Sequence, residues 1–149
     1  MGEALAIVGL YVGLNALLML VLAYNVGSRR GAQGQLQPGD MGDAVLTRAI
    51  RAHANFAEYA PIVLLLLLML ALLGFAPLWL HLYGGGFTIG RVIGAIGMMR
   101  AQHPNALRFT GNAFTGLALL TGAVAVIGCA VGRLGNDGAA ALGTHLAGG

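Results

Sequence analysis

The sequence predicts an all-α integral membrane protein, a four-transmembrane-helix bundle forming a single domain over residues 1–149. Two observations carry that expectation. Of the 149 residues, 58% are apolar and only 9% charged, whereas a soluble domain carries about 25% charged residues. The apolar residues also fall in runs of roughly 20, the length that crosses about 30 Å of hydrocarbon. All eight basic residues are Arg, and the net charge is +3. No basic run interleaved with aromatics points to nucleic acid, so a membrane surface or a small anionic ligand suits the surplus better. Cys129 is alone, which excludes a disulfide framework and leaves it as a small apolar side chain. No Cys/His cluster suggests a metal.

The first span is expected over residues 4–25, and the absence of a basic n-region before it favours a retained helix. A Gly- and Gln-rich loop is expected over 27–43, from Gly27-Ser28-Arg29-Arg30-Gly31 to Pro38-Gly39-Asp40. Asp43 is placed to cap the next helix. The second span, 44–75, opens with Arg48, Arg51, His53, Asn55 and Glu58 and becomes almost purely aliphatic from Ile62 to Leu73. Gly74 to Pro77 ends it. Trp79 and Tyr83 suit a lipid–water boundary. The third span, 79–100, is interrupted by Gly84-Gly85-Gly86 and carries Gly90, Gly94 and Gly97 deeper in, small residues that let helices approach closely. A loop around Pro104 leads to the fourth span, 109–131, and the Gly/Ala-rich tail 133–149 is expected to be flexible.

Arginine placement predicts orientation. Arg29 and Arg30 begin the first loop, Arg48 and Arg51 follow it, and Arg100 and Arg108 flank the loop between the third and fourth spans. The other side has only Arg133 near a span end. The positive-inside rule puts the Arg-rich loops in the cytoplasm and both termini on the non-cytoplasmic side.

The second helix carries an energetic anomaly. With Arg48 at zero on a helical wheel, about 100° per residue puts Arg51 near 300°, Asn55 near 340°, Glu58 near 280° and Tyr59 near 20°. His53 falls off this stripe. Charges in hydrocarbon cost several kcal/mol unless paired or set in a wet cavity, so the stripe should face protein. Two readings stand: a closed structural network in which Glu58 pairs with an Arg, or an open site for a ligand. The surplus of Arg over acidic residues near one membrane edge favours a ligand with carboxylates and an amine, since the guanidinium fork suits carboxylates. Arg91, flanked by Ile, Val and Gly, is too deep to be only a topological signal; it is either part of such a site or a partner for Glu58.

Arg48-Ala-Ile-Arg51-Ala-His-Ala-Asn55-Phe-Ala-Glu58-Tyr59-Ala-Pro61, with Gly90-Arg91-Val92, Arg100, Arg108 and Arg29-Arg30 in order, resembles the MAPEG family, the membrane-associated proteins of eicosanoid and glutathione metabolism. The hydropathy pattern extends the resemblance over almost the whole chain, which looks most like the short bacterial members. The resemblance implies a homotrimer in a bacterial inner membrane, with glutathione as co-substrate bound between subunits near the cytoplasmic edge. Carried over residue by residue, Arg30, Arg51, Asn55, Glu58, Tyr59 and Arg91 match glutathione-binding positions, Glu58 taking the α-amino group and Arg the carboxylates. Arg108 matches a catalytic Arg near the sulfur, where a guanidinium favours the nucleophilic thiolate.

The implied activity is glutathione transfer to an apolar, lipid-like electrophile, or reduction of lipid hydroperoxides. Gly94 and Met98 stand where family members carry aromatic or His side chains lining the ligand site. Their small or apolar character implies a larger pocket, a different thiol or lost catalysis, so a non-catalytic binding or scaffold protein is the alternative. A small multidrug exporter would need an acidic residue inside the first span, which offers only Glu3 at its start.

Overall fold

The computed structural model describes residues 1–32, 34, 43–100 and 105–147, with side chains through residue 136. Four helices follow one another: α1 (Gly2–Ala32), α2 (Ala44–Leu72), α3 (Pro77–Met99) and α4 (Ala106–Ala147). Stretches Gly2–Ala32, Ala44–Leu72 and Ala106–Asn136 are each long and apolar enough to cross a membrane. The third helix is not among them, because three consecutive glycines, His81 and Arg91 dilute its hydropathy. Like α2, it touches every other helix, while α1 and α4 share no contact among the described residues.

Helix α1 continues through Gly27–Ala32, where the sequence predicts loop. Arg29 and Arg30 in the last turn complement the negative end of the helix dipole, and Arg29 Nε donates to Asn25 Oδ1 at 2.8 Å, one turn back. The rest of the expected loop, residues 33 and 35–42, lies outside the described residues apart from Gly34. Likewise α4 runs on through the expected flexible tail to Ala147, where alanines offset the low helix propensity of the glycines.

Helix α2 starts as its sequence directs: the Asp43 side chain accepts from the backbone N–H groups of Val45 and Leu46. Gly74, at φ +88°, turns the chain after the Leu73 cap. Pro77 then opens α3 in its first turn, where a missing N–H costs nothing.

The core has two parts, one toward each end of the bundle. Ile7, Val8 and Tyr11 of α1 meet Leu67 and Leu70 of α2 and Leu80 of α3 at one end. Leu22, Phe56, Val63, Phe87 and Met98 fill the other. The Gly84-Gly85-Gly86 run does not break α3. It admits the ring of Tyr11, which a Cβ on Gly84 would overlap. Tyr11 then hydrogen-bonds His81 Nδ1 at 2.9 Å, and Asn15 Nδ2 reaches Thr88 Oγ1 at 2.8 Å, so polar contacts join α1 to α3 where water is scarce.

Candidate functional site

The polar stripe of α2 lies along the rim of its buried face. Ala49, Ala52, Phe56, Ala60 and Val63 point inward. Arg51 and Glu58 point outward, on the same side as Ile62 and Leu65, which are 52% and 53% exposed. Tyr59 is at the exposed edge and Asn55 is half-buried. The stripe is therefore open on the outside of the subunit. Among the described residues no ion pair joins Glu58 to an Arg, so the closed network is not formed within one chain. Pro61, inside α2, also removes the donor that would have met the Ala57 carbonyl beside this face.

Arg91 is turned away from that face. It is 2% exposed, the largest fully buried side chain among the described residues. Its Nη2 donates to Asn55 Oδ1 at 2.6 Å and its Nη1 to Thr115 Oγ1 at 3.0 Å. Its guanidinium carbon stands 5.6 Å from the centroid of the Phe56 ring, within cation–π range. Thr115 in turn donates to the Gly111 carbonyl at 3.0 Å. Arg91 thus ties α2, α3 and α4 together through neutral partners, and its partner is Asn55 rather than Glu58. Helical spacing points to Asn55, and an isolated charge among apolar neighbours points to Arg91, but neither signal reaches Thr115 or Phe56. Thr115 follows Gly111 by four residues and precedes Ala118 by three, a small-residue face that marks close packing and not a partner.

The arginines of the other elements stand apart from this buried group. Arg30 and Arg48 are half-buried, each with a buried Nε that has no partner among the described residues. Arg108 is exposed in the first turn of α4. Its backbone N–H donates to Asn105 Oδ1 at 2.8 Å, and Asn105 Nδ2 donates to the Gly97 carbonyl at 2.7 Å, so one side chain caps α4 and fastens it to the end of α3.

Gly94 and Met98 are buried, on the inward side of α3 with Arg91. The expected extra space at Gly94 is not there. Gly111 of α4 occupies it: a Cβ on Gly94 would stand 3.4 Å from Gly111 Cα. Omitting the side chain has brought two backbones together instead of widening a pocket. A cavity of about 380 Å³ does open, but between α3 and α4 near the α2–α3 turn, lined by Trp79, Tyr83, Phe87, Phe114 and Leu117 among others. It lies away from the α2 stripe. Among the described residues no group of three or more His, Cys, Asp or Glu is gathered to hold a metal.

An all-helical chain with three hydrocarbon-length helices and a charged face cut into one of them is a polytopic membrane protein. The MAPEG family model matches residues 8–128, and the chain belongs to that family. It is similar to the inner membrane protein YecN of Escherichia coli K12 and to that of Escherichia coli O6:H1, in each case 34% identical over 84 residues. The match covers 56% of this chain and 63% of each relative, less than two thirds of their length.

Proposed function

We propose that the protein binds glutathione at the exposed face of α2 and transfers it to apolar electrophiles that enter from the bilayer. One observation carries the reading: Arg51 and Glu58 stand open on a helix whose next turns on that side, Ile62 and Leu65, are suited to hydrocarbon. Glu58 lies about 10 Å along the helix from Arg51 at 1.5 Å per residue. A charge facing lipid there costs several kcal/mol, so the face needs protein and a polar ligand to cover it. A homotrimer in which a neighbouring subunit closes over α2 supplies that cover. In this assembly α3 is the fourth membrane-crossing helix, and 23 residues give it roughly 35 Å of length.

Glu58 accepts the α-amino group of the tripeptide. Arg51, Arg30, Asn55 and Tyr59 donate to its carboxylates and carbonyls. Arg108 favours the thiolate. The thiol proton leaves to solvent, the sulfur bonds the electrophilic carbon, and the leaving group departs. In the peroxidase variant two glutathiones are oxidised to the disulfide while a hydroperoxide becomes alcohol and water. The name of the similar proteins, together with the Arg-rich helix ends, supports a bacterial inner membrane with both termini on the non-cytoplasmic side.

Calorimetric titration of the intact purified protein with glutathione tests the reading. Saturable binding is expected, with large losses in Glu58→Gln and Arg51→Ala. Absence of binding while the oligomer is intact overturns it.

A second reading, a non-catalytic family member that keeps the polar face for binding or assembly, is favoured by Gly94 and Met98. Both are packed inward and offer no group to the sulfur. Conjugation of chlorodinitrobenzene separates the two, since measurable turnover rejects the second.

A further inference from the structure

Arg91 was expected among the ligand-binding residues, yet it is almost inaccessible and its guanidinium is held from three sides. Arg offers only N–H donors, so the atom of Asn55 that faces it at 2.6 Å is necessarily the oxygen. The planar amide then carries its NH2 group on the opposite branch. Asn55 Nδ2 has no partner among the described residues and is not among the buried unpartnered atoms, so it is accessible. Arg51 lies one turn before Asn55 and Tyr59 one turn after, on neighbouring positions of the helix surface.

From this we infer that Arg91 is a positioning residue: it fixes the Asn55 amide so that Asn55 meets a ligand as a hydrogen-bond donor and never as an acceptor. The guanidinium has little freedom to release it. Thr115, which holds Nη1, is itself committed to the Gly111 carbonyl. A cation on the amide oxygen also strengthens the outward N–H groups as donors, because hydrogen bonds in series polarise one another. Asn55, Arg51 and Tyr59 together offer donors to an oxygen anion, and Glu58 is the carboxylate beside them. The site therefore takes a zwitterionic ligand in one sense only, carboxylate toward Asn55 and ammonium toward Glu58. The identity of that ligand rests on the glutathione reading; the orientation of the amide does not.

The test uses intact protein in nanodiscs as wild type, Asn55→Asp, Asn55→Ala, Arg91→Met and the Arg91→Met/Asn55→Ala double variant. Asn55→Asp leaves Arg91 an oxygen but replaces the outward NH2 by a second acceptor. It is expected to melt at or above the wild-type temperature while binding glutathione roughly 10-fold or more weakly. Arg91→Met is expected to weaken binding as much as Asn55→Ala does, with no further loss in the double variant. Wild-type affinity in Asn55→Asp, or losses that multiply in the double variant, overturns the proposal. Where Arg91→Met fails to assemble, Asn55→Asp decides alone. Absence of glutathione binding by the wild type sinks the glutathione reading only. The amide orientation is then decided by the Asn55 side-chain NH2 resonance in protein carrying labelled asparagine, identified by its loss in Asn55→Asp. Rapid exchange with water is expected, and an NH2 group shielded from water overturns the inference.

Discussion

Gly111 of α4 rests against Gly94 of α3 backbone to backbone, so that a Cβ built on Gly111 would overlap the Gly94 nitrogen and Cα. Backbone atoms cannot swing aside as a side-chain tip can. Gly111→Ala is therefore expected to force α3 and α4 apart and to destabilise the protein by about 1–3 kcal/mol, the usual cost of overpacking. Gly116, on the same helix, has nothing within 4 Å of its would-be Cβ. Gly116→Ala should be neutral or stabilise by up to about 1 kcal/mol through helix propensity. Unfolding titrations of the two variants check the contrast, and equal losses would show that Gly111 is no contact point.

The cap of α2 gives a second, independent prediction. Asp43 Oδ1 accepts from Val45 N at 2.6 Å and from Leu46 N at 3.2 Å. Asp43→Ala should cost about 1 kcal/mol, and Asp43→Ser should recover most of it. Hydrogen exchange at the start of α2 would rise in Asp43→Ala while the exchange of α4 stays unchanged.

Much of this architecture was legible in the sequence, and particular residues show where legibility stopped. The polar residues of α2 repeat at helical spacing, so their gathering on one side needed no tertiary information. The glycines of α3 carried two meanings. Gly84 to Gly86 weaken a helix in water, but against the Tyr11 ring they are what allows α1 to approach, and only the fold tells these apart. Gly27 and Gly31 likewise suggested a loop where Arg29 and Arg30 in fact complete the last turns of α1. Arg91 is anomalous by sequence alone, yet its partners stand 36 and 24 residues away in the chain. Which of Asn55 and Glu58 it meets depends on the register of α3 against α2, which no local pattern encodes. In sequence Gly94 looks like a missing side chain, whereas the backbone of Gly111 fills its place.

Glu58 separates a structural role from a binding role. It is exposed and has no ion pair among the described residues. Glu58→Gln should leave the ligand-free protein no less stable than the wild type, because no ion pair is lost and a charge is removed from a face beside hydrocarbon. The same variant should lose most of its affinity for glutathione, since an amide cannot serve an ammonium as a carboxylate does. Thermal melts with and without glutathione read both effects, because bound ligand raises the wild-type melting point by mass action. A marked drop in the ligand-free melt would instead place Glu58 in the assembly.

Arg108 sits where a cation is locally unfavourable. It occupies the first turn of α4, whose exposed N–H groups already carry positive partial charge, and Asn105 satisfies the Arg108 N–H itself. A cation at a helix N-terminus opposes the dipole by about 0.3–1 kcal/mol. Arg108→Ala is thus expected to hold or slightly raise the stability of the protein. If the guanidinium stabilises a thiolate, the same variant should lower turnover of chlorodinitrobenzene at saturating glutathione by roughly 10-fold or more, the range in which a single electrostatic group acts on a rate. The alkaline shift of the pH–rate profile is the diagnostic readout. Without the guanidinium the bound thiol ionises at higher pH, so the rising limb moves up, and Arg108→Lys should move it part of the way back. A variant that loses affinity but keeps both its turnover and its pH profile would make Arg108 a ligand contact instead.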